Sequence, residues 1–174
     1  VGLYTSPFIS RINEQIQING QEICDDEFAR YAKRVKDAAD KMADEGLEHP
    51  SQFEVLTALS LLYFYEKSCS IVVMEAGMGG RLDATNIITG TLISVITKIT
   101  FDHMSFLGNS LSRIAYEKAG IIKQGGNVVL YPQEKEVLEV IEKVSKDLGA
   151  KIFYADTKEL TDIAIKKGQL SFRH

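Results

Sequence analysis

The chain has 174 residues, of which 45% are apolar, 25% charged and 9% aromatic. That suits one globular domain with a buried core. Acidic residues outnumber basic ones by 24 to 20, a net charge of −4, so nucleic acid is not an expected partner, because neutralising phosphates needs surplus Lys and Arg.

No apolar run approaches the ~20 residues of a membrane helix, so no membrane partner is expected. The opening residues lack the basic stretch of a signal peptide. Two cysteines, Cys24 and Cys69, make neither a disulfide framework nor a metal cluster, and they fit a reducing, cytoplasmic setting. The first residue is Val1 rather than Met, and a piece of a longer protein is expected.

In chain order, residues 1–5 read as the end of a strand, broken by Thr5-Ser6-Pro7 because proline cannot continue a ladder. Residues 14–18 alternate polar and apolar, and Asn19-Gly20 reads as a hairpin turn into residues 21–23. Asp25 and Asp26 open a long helix with Phe28, Tyr31, Ala32, Val35, Ala38, Ala39 and Met42 at helical spacing, stopped by Gly46. Ser51 caps a second helix with Glu54 three residues later, the pattern of a capping box. Phe53, Leu56, Leu59, Leu62 and Tyr63 make that helix apolar on most sides, hence buried.

Residues 70–74 form a continuous apolar run, and a second run covers 92–100. Such runs predict strands buried on both faces of a parallel sheet. A helix over about 110–122 follows, then a strand over 127–131, a helix over 134–148, a strand over 151–154, and two short strands in the tail around Gly168. Alternation of this kind predicts an α/β fold, a doubly wound, mostly parallel sheet flanked by helices.

Ligands of open α/β sheets bind beyond the carboxyl ends of the strands. Glu75 ends an apolar run, which suits either a Mg²⁺ ligand or a carboxylate capping a turn, and the two readings stand level. The glycines at 77, 79 and 80 allow close backbone approach, a weak signal alone. Arg81-x-Asp83-x-x-Asn86 after them is far less generic. Arg81 can grip a carboxylate or phosphate with two hydrogen bonds, and Asp83 can orient it. His103 follows Asp102 at the second strand end, where metal or phosphate contact outweighs a purely structural role. Lys118, by spacing alone, reads as a solvated lysine. His49 and His174 receive no role.

These segments resemble the folylpolyglutamate synthase/dihydrofolate synthase family of the Mur ligase superfamily. The matching residues are Gly2-Leu3-Tyr4-Thr5-Ser6-Pro7, Asn13-Glu14-x-Ile16-x-Ile18-Asn19-Gly20 and Phe53-Glu54-x-Leu56-Thr57-Ala58. They continue with Glu75-x-Gly77-x-Gly79-Gly80-Arg81-Leu82-Asp83-Ala84-Thr85-Asn86, Asp102-His103-x-x-x-Leu107-Gly108 and Glu117-Lys118-Ala119-Gly120-Ile121-Ile122-Lys123. The likeness is close over residues 1–131 and looser beyond.

The resemblance implies a P-loop NTPase-type fold and an ATP-dependent acid–amino-acid ligase. ATP phosphorylates a carboxylate of dihydropteroate or of a reduced folate, and the amine of L-glutamate displaces the phosphate. It implies Ser6, Glu75, His103 and Lys118 as ligands of two Mg²⁺ sites, with a monovalent cation as a further cofactor. Lys118 matches a lysine that carries a CO₂-derived carbamate, an anion suited to Mg²⁺ as the ammonium, with a pKa of about 10.4, is not. Gly79, Gly80 and Asn86 are implied in nucleotide binding, and Ser6, Pro7, Phe8, Arg81 and Asp83 in substrate binding. The full-length protein is expected to be monomeric.

Two departures stand out. Phe8 occupies a position where many members have His, so its role divides between stacking on a pterin and plain packing. The phosphate loop of the type Gly-Thr-x-Gly-Lys-Gly-Ser is absent from these residues. Residues 1–174 are therefore expected to be a partial ATP-binding domain, incomplete at both ends and lacking the C-terminal glutamate ligase domain. Such a chain should be inactive alone, with exposed sheet edges that favour self-association. The competing readings are a non-catalytic remnant acting as a binding or assembly unit, and another Mur-type amino acid ligase. A NAD-type dehydrogenase is excluded by the glycine spacing.

Overall fold

The computed structural model describes residues 1–101 and 108–155, and the backbone of residues 161–166 and 169–173. The chain divides into two compact units, Val1–Ile87 and Ile88–His174.

The first unit is built on a four-stranded sheet. Its strands are β1 (Gly2–Tyr4), β2 (Ile16–Ile18), β3 (Gln21–Glu22) and β4 (Val72–Met74), in the order β3-β2-β1-β4. β1 lies parallel to β4, with Gly2 opposite Val72 and Tyr4 opposite Met74, and antiparallel to β2. Asn19 and Gly20 join β2 to β3 with φ of 52° and 78°. This is the pair of left-handed residues that a two-residue hairpin needs.

Helices α1 (Asp25–Asp44) and α2 (Gln52–Glu66) complete the unit. The capping box at α2 is formed as expected: Glu54 N donates to Ser51 Oγ at 3.3 Å and Ser51 N donates to Glu54 Oε2 at 2.7 Å. Tyr4, Ile16, Ile23, Tyr31, Leu56, Leu59, Tyr63 and Phe64 form the core.

The second unit carries a three-stranded, all-parallel sheet, with β5 (Ser94–Ile96), β6 (Asn127–Leu130) and β7 (Lys151–Tyr154) in that order. Helices α3 (Leu111–Ala119) and α4 (Lys135–Asp147) alternate with them and pack on one another. Their core includes Ile96, Ile114, Val128, Leu130, Val137 and Ile141. The tail pairs as the antiparallel strands β8 (Thr161–Lys166) and β9 (Gln169–Arg173).

Three expectations are corrected. Residues 14–18 are not one strand: Ile12–Gln15 is a 3-10 turn, and only Ile16–Ile18 is extended. The cause is local, since the Asn13 amide donates to Ile23 O and the Glu14 carboxylate collects nearby backbone amides. The apolar runs at β4 and β5 are not buried on both faces. Ile71 and Val73 are 50% and 53% exposed, and Val95 58%, because each sheet meets its unit's core on one face only. The apolar stripe of α1 also outruns its core, leaving Ala38 and Met42 exposed.

Candidate functional site

Because β1 and β4 run parallel and in register, their carboxyl ends open on the same edge of the sheet. Glu75 N donates to Tyr4 O at 2.9 Å, extending the ladder by one step. Ser6, on the loop leaving β1, donates its backbone N–H to Glu75 Oε2 at 2.9 Å. The next peptide bond, Ser6–Pro7, is cis. The Ser6 hydroxyl and Glu75 Oε1 form no hydrogen bond among the described residues, and the Glu75 side chain is exposed.

These are hard oxygen donors, the type that Mg²⁺ takes. Mg²⁺ needs few of them from protein, because it retains waters and shares substrate phosphates. No group of three or more His, Cys, Asp or Glu could hold a metal among the described residues. The Ser6 hydroxyl and the second Glu75 carboxylate oxygen are donors of the type that such a site uses.

The glycine block is folded around Asp83. Its Oδ2 accepts from Gly77 N and Met78 N, both at 2.9 Å, and its Oδ1 from Thr85 N at 3.0 Å and Thr85 Oγ1 at 2.5 Å. Both carboxylate oxygens thus serve the turn. Asn86 Nδ2 donates to Arg81 O at 3.1 Å. Gly79 takes φ of 68°, and Gly80 is buried. Gly77 lies against the Phe53 ring of α2, where a Cβ would come within 2.5 Å of Cζ.

Between the Ser6-Pro7 loop, the start of α2 and the glycine block lies a pocket of about 510 Å³. Pro7, Phe53, Met78 and Leu82 give it apolar walls, while Ser6 and Asp83 add polar groups. Apolar walls with a few placed polar groups suit a small organic ligand. Beneath it, burial pushes the Tyr4 hydroxyl up from its ordinary pKa. The neighbouring Thr57 hydroxyl opposes the shift, and the negative charge of Asp83 adds to it.

Of the expected site residues, the first unit brings Ser6, Pro7 and Asp83 to the pocket and sets Glu75 against Ser6. Phe8 is 44% exposed and does not line the pocket, nor do Arg81, Gly79, Gly80 or Asn86. Lys118 lies near the end of α3 in the second unit, half-buried, and makes no ion pair or hydrogen bond through its amine among the described residues. His103 lies outside the described residues. Sequence reasoning missed the walls at Phe53, Met78 and Leu82. The capping box at Ser51 and Glu54 had marked a helix start, not that this start borders a pocket.

The chain matches the Mur ligase middle domain over residues 29–173. It is 42% identical over 142 residues to the dihydrofolate synthase/folylpolyglutamate synthase of Bacillus subtilis, a match covering 81% of this chain and 33% of that protein. To the folylpolyglutamate synthase of Lacticaseibacillus casei it is 41% identical over 130 residues, covering 74% of this chain and 30% of that one. A solved FPGS-AMPPCP-folate complex superposes with a TM-score of 0.89 at 32% identity, covering 98% of this chain and 42% of the other. The chain thus spans about a third of the length of the curated relatives it matches.

Proposed function

From the premise that this chain belongs to the Mur ligase family, we propose that it is part of an ATP-dependent ligase. That ligase joins L-glutamate to dihydropteroate, to reduced folates, or to both. The observation that carries this reading is the oxygen pair of Ser6 and Glu75 beside a pocket with apolar walls, together with the likeness to a folylpolyglutamate synthase bound to AMPPCP and folate.

The pocket receives the pterin end of the substrate. Pro7, Phe53, Met78 and Leu82 offer the ring apolar surface, and the edge bearing Ser6 and Glu75 faces the phosphoryl transfer. When bound, Mg²⁺ neutralises developing phosphate charge. Ser6 and Glu75 are the residues here that would hold it. The Asp83-braced turn keeps the glycine backbone fixed at that edge. Transfer of the γ-phosphoryl group to the substrate carboxylate gives an acyl phosphate. Attack by the glutamate amine then releases phosphate and forms the amide.

Residues 1–174 make up part of the ATP-binding domain in this reading, and the complete protein acts as a cytoplasmic monomer. No helix among the described residues is long and apolar enough to cross a membrane.

The test uses the complete polypeptide that carries this sequence, supplied with ATP, Mg²⁺ and L-glutamate. Phosphate release that requires dihydropteroate or tetrahydrofolate is the expected result. Release that requires a cell-wall precursor and another amino acid would assign a different Mur-type ligase. Failure to bind any nucleotide would leave a non-catalytic remnant.

A further inference from the structure

The loop that carries Ser6, Pro7 and Phe8 is held by two successive residues of one 3-10 turn. At its near end Thr5 and Gln15 exchange two hydrogen bonds: Thr5 N donates to Gln15 O at 3.0 Å, and Gln15 Nε2 donates to Thr5 O at 3.0 Å. Ser6 N is tied to Glu75 in addition. At its far end Glu14 takes three consecutive backbone amides. Ile9 N donates to Oε1, while Ser10 N at 3.1 Å and Arg11 N at 3.3 Å donate to Oε2.

Among the described residues, the backbone N–H groups of Ile9 and Ser10 have no other partner, and the far end is otherwise held only at Arg11, through its guanidinium and its carbonyl. Ile9 is 94% exposed, so side-chain packing does not anchor it. The Arg11 guanidinium turns away to Asp25 and Glu22, so it does not compete for the Glu14 carboxylate. Charge-assisted bonds from backbone N–H are the strong kind, and the same three amides hold the Glu14 carboxyl below the ordinary carboxylate range.

We propose that Glu14 is a positioning residue that clamps the far end of the Ser6-Pro7-Phe8 loop and so presets the loop for the pterin-bearing substrate. The role rests on the ligase reading above. It goes beyond that reading in assigning substrate-loop order to a residue that does not itself line the pocket beside Ser6 and Pro7. Preset loops bind without a fresh ordering cost. The near end, which bears Ser6, stays fixed by Gln15 and Glu75, so removing the clamp should loosen the substrate side and spare the metal side.

The test compares wild type, Glu14→Ala and Glu14→Gln in the complete polypeptide, by amide hydrogen exchange and by steady-state kinetics. In Glu14→Ala, the amides of residues 9–11 should exchange about tenfold faster or more. Those of Gly2–Tyr4 and Ile16–Ile18 should not change. Glu14→Gln keeps the size and one acceptor oxygen, and should fall between. The KM for dihydropteroate or tetrahydrofolate should rise roughly tenfold, while the KM for ATP and kcat hold. Unchanged exchange at residues 9–11, or an equal rise in KM for every substrate, would overturn the clamp. If the wild type forms no glutamyl amide, the ligase reading fails on its own, and the exchange comparison still decides whether Glu14 orders the loop.

Discussion

The backbone N–H of Ser6 donates to Glu75 Oε2 at 2.9 Å, across 69 positions of sequence. The bond takes up one oxygen of the carboxylate, while the other oxygen and the Ser6 hydroxyl make no hydrogen bond among the described residues. Glu75→Gln tests what the charge does there. Its amide oxygen can still accept from Ser6 N, so thermal stability should stay within a few degrees of wild type. Affinity for Mg²⁺, or for Mn²⁺ as a probe, should fall by at least the roughly 10–100-fold that loss of an outer-shell partner costs. A metal titration that leaves the affinity unchanged would remove Glu75 from the metal site.

Asp83 turns a glycine-rich segment into a fixed edge. Asn at this position offers a single acceptor oxygen and turns an NH₂ toward two of the N–H groups now bound. Asp83→Asn should therefore cost about 1–3 kcal/mol in urea denaturation and speed exchange of the Gly77 and Met78 amides. Equal stability and equal exchange would mean that the turn stands without the carboxylate.

Local signals in the sequence were legible and held. The Asn19-Gly20 pair makes its hairpin, Ser51 and Glu54 form their capping box, and the strand–helix alternation gives parallel pairing in both units. Burial was less legible. A short apolar run such as residues 71–74 reads alike whether one face is covered or two, and here Val73 stays open. The pocket walls were hidden because Phe53 on an apolar helix looks like any core residue. Glu14 looked like the polar member of an alternating strand, since nothing in its spacing announces a carboxylate that folds back on three amides.

The approach of Gly77 to Phe53 supports a packing prediction. A Cβ at 77 would sit 2.5 Å from Cζ and 2.8 Å from Cε2 of the ring. That ring also leans on Tyr4, with centroids 6.0 Å apart, which blocks its retreat on that side. Gly77→Ala should cost about 1–3 kcal/mol, the usual penalty of overpacking. Adding Phe53→Leu should recover part of it, a coupling that a double-mutant cycle reads directly. Strict additivity of the two changes would deny the contact.

Alkaline stability should depend on Tyr63. Its pKa is pushed up from the ordinary 10 to about 12, first by burial and then by the charge and hydrogen bond of Glu27. A folded-state pKa raised in this way contributes stability that is whole below pH 10 and is lost as pH climbs toward about 12. The unfolded chain ionises first and is favoured. Lys67 beside the ring, Tyr31 against its edge and Cys24 are the other titratable groups acting on it among the described residues. Tyr63→Phe should flatten the fall in denaturation midpoint across that window. An equally steep fall in the variant would place the sensitivity elsewhere, with Tyr31 next, since its pKa is raised too.

Lys118 carries the last prediction. It is half-buried near the end of α3, between the core residues Ile114, Ala115 and Ala119 and the Gly120 that ends the helix, with no partner for its amine among the described residues. If the amine adds CO₂ and loses a proton, the resulting carbamate offers two anionic oxygens to a hard cation. Protein crystallised with bicarbonate and Mg²⁺ should show extra density on Nζ, and ¹³C-labelled bicarbonate should give a carbamate resonance that Lys118→Arg abolishes. Lys118→Ala should lower ligase turnover, and short carboxylic acids should restore part of it by supplying the missing oxygens. A bare ammonium at full occupancy in a metal-loaded site would sink the modification and return Lys118 to the role that its spacing alone suggests.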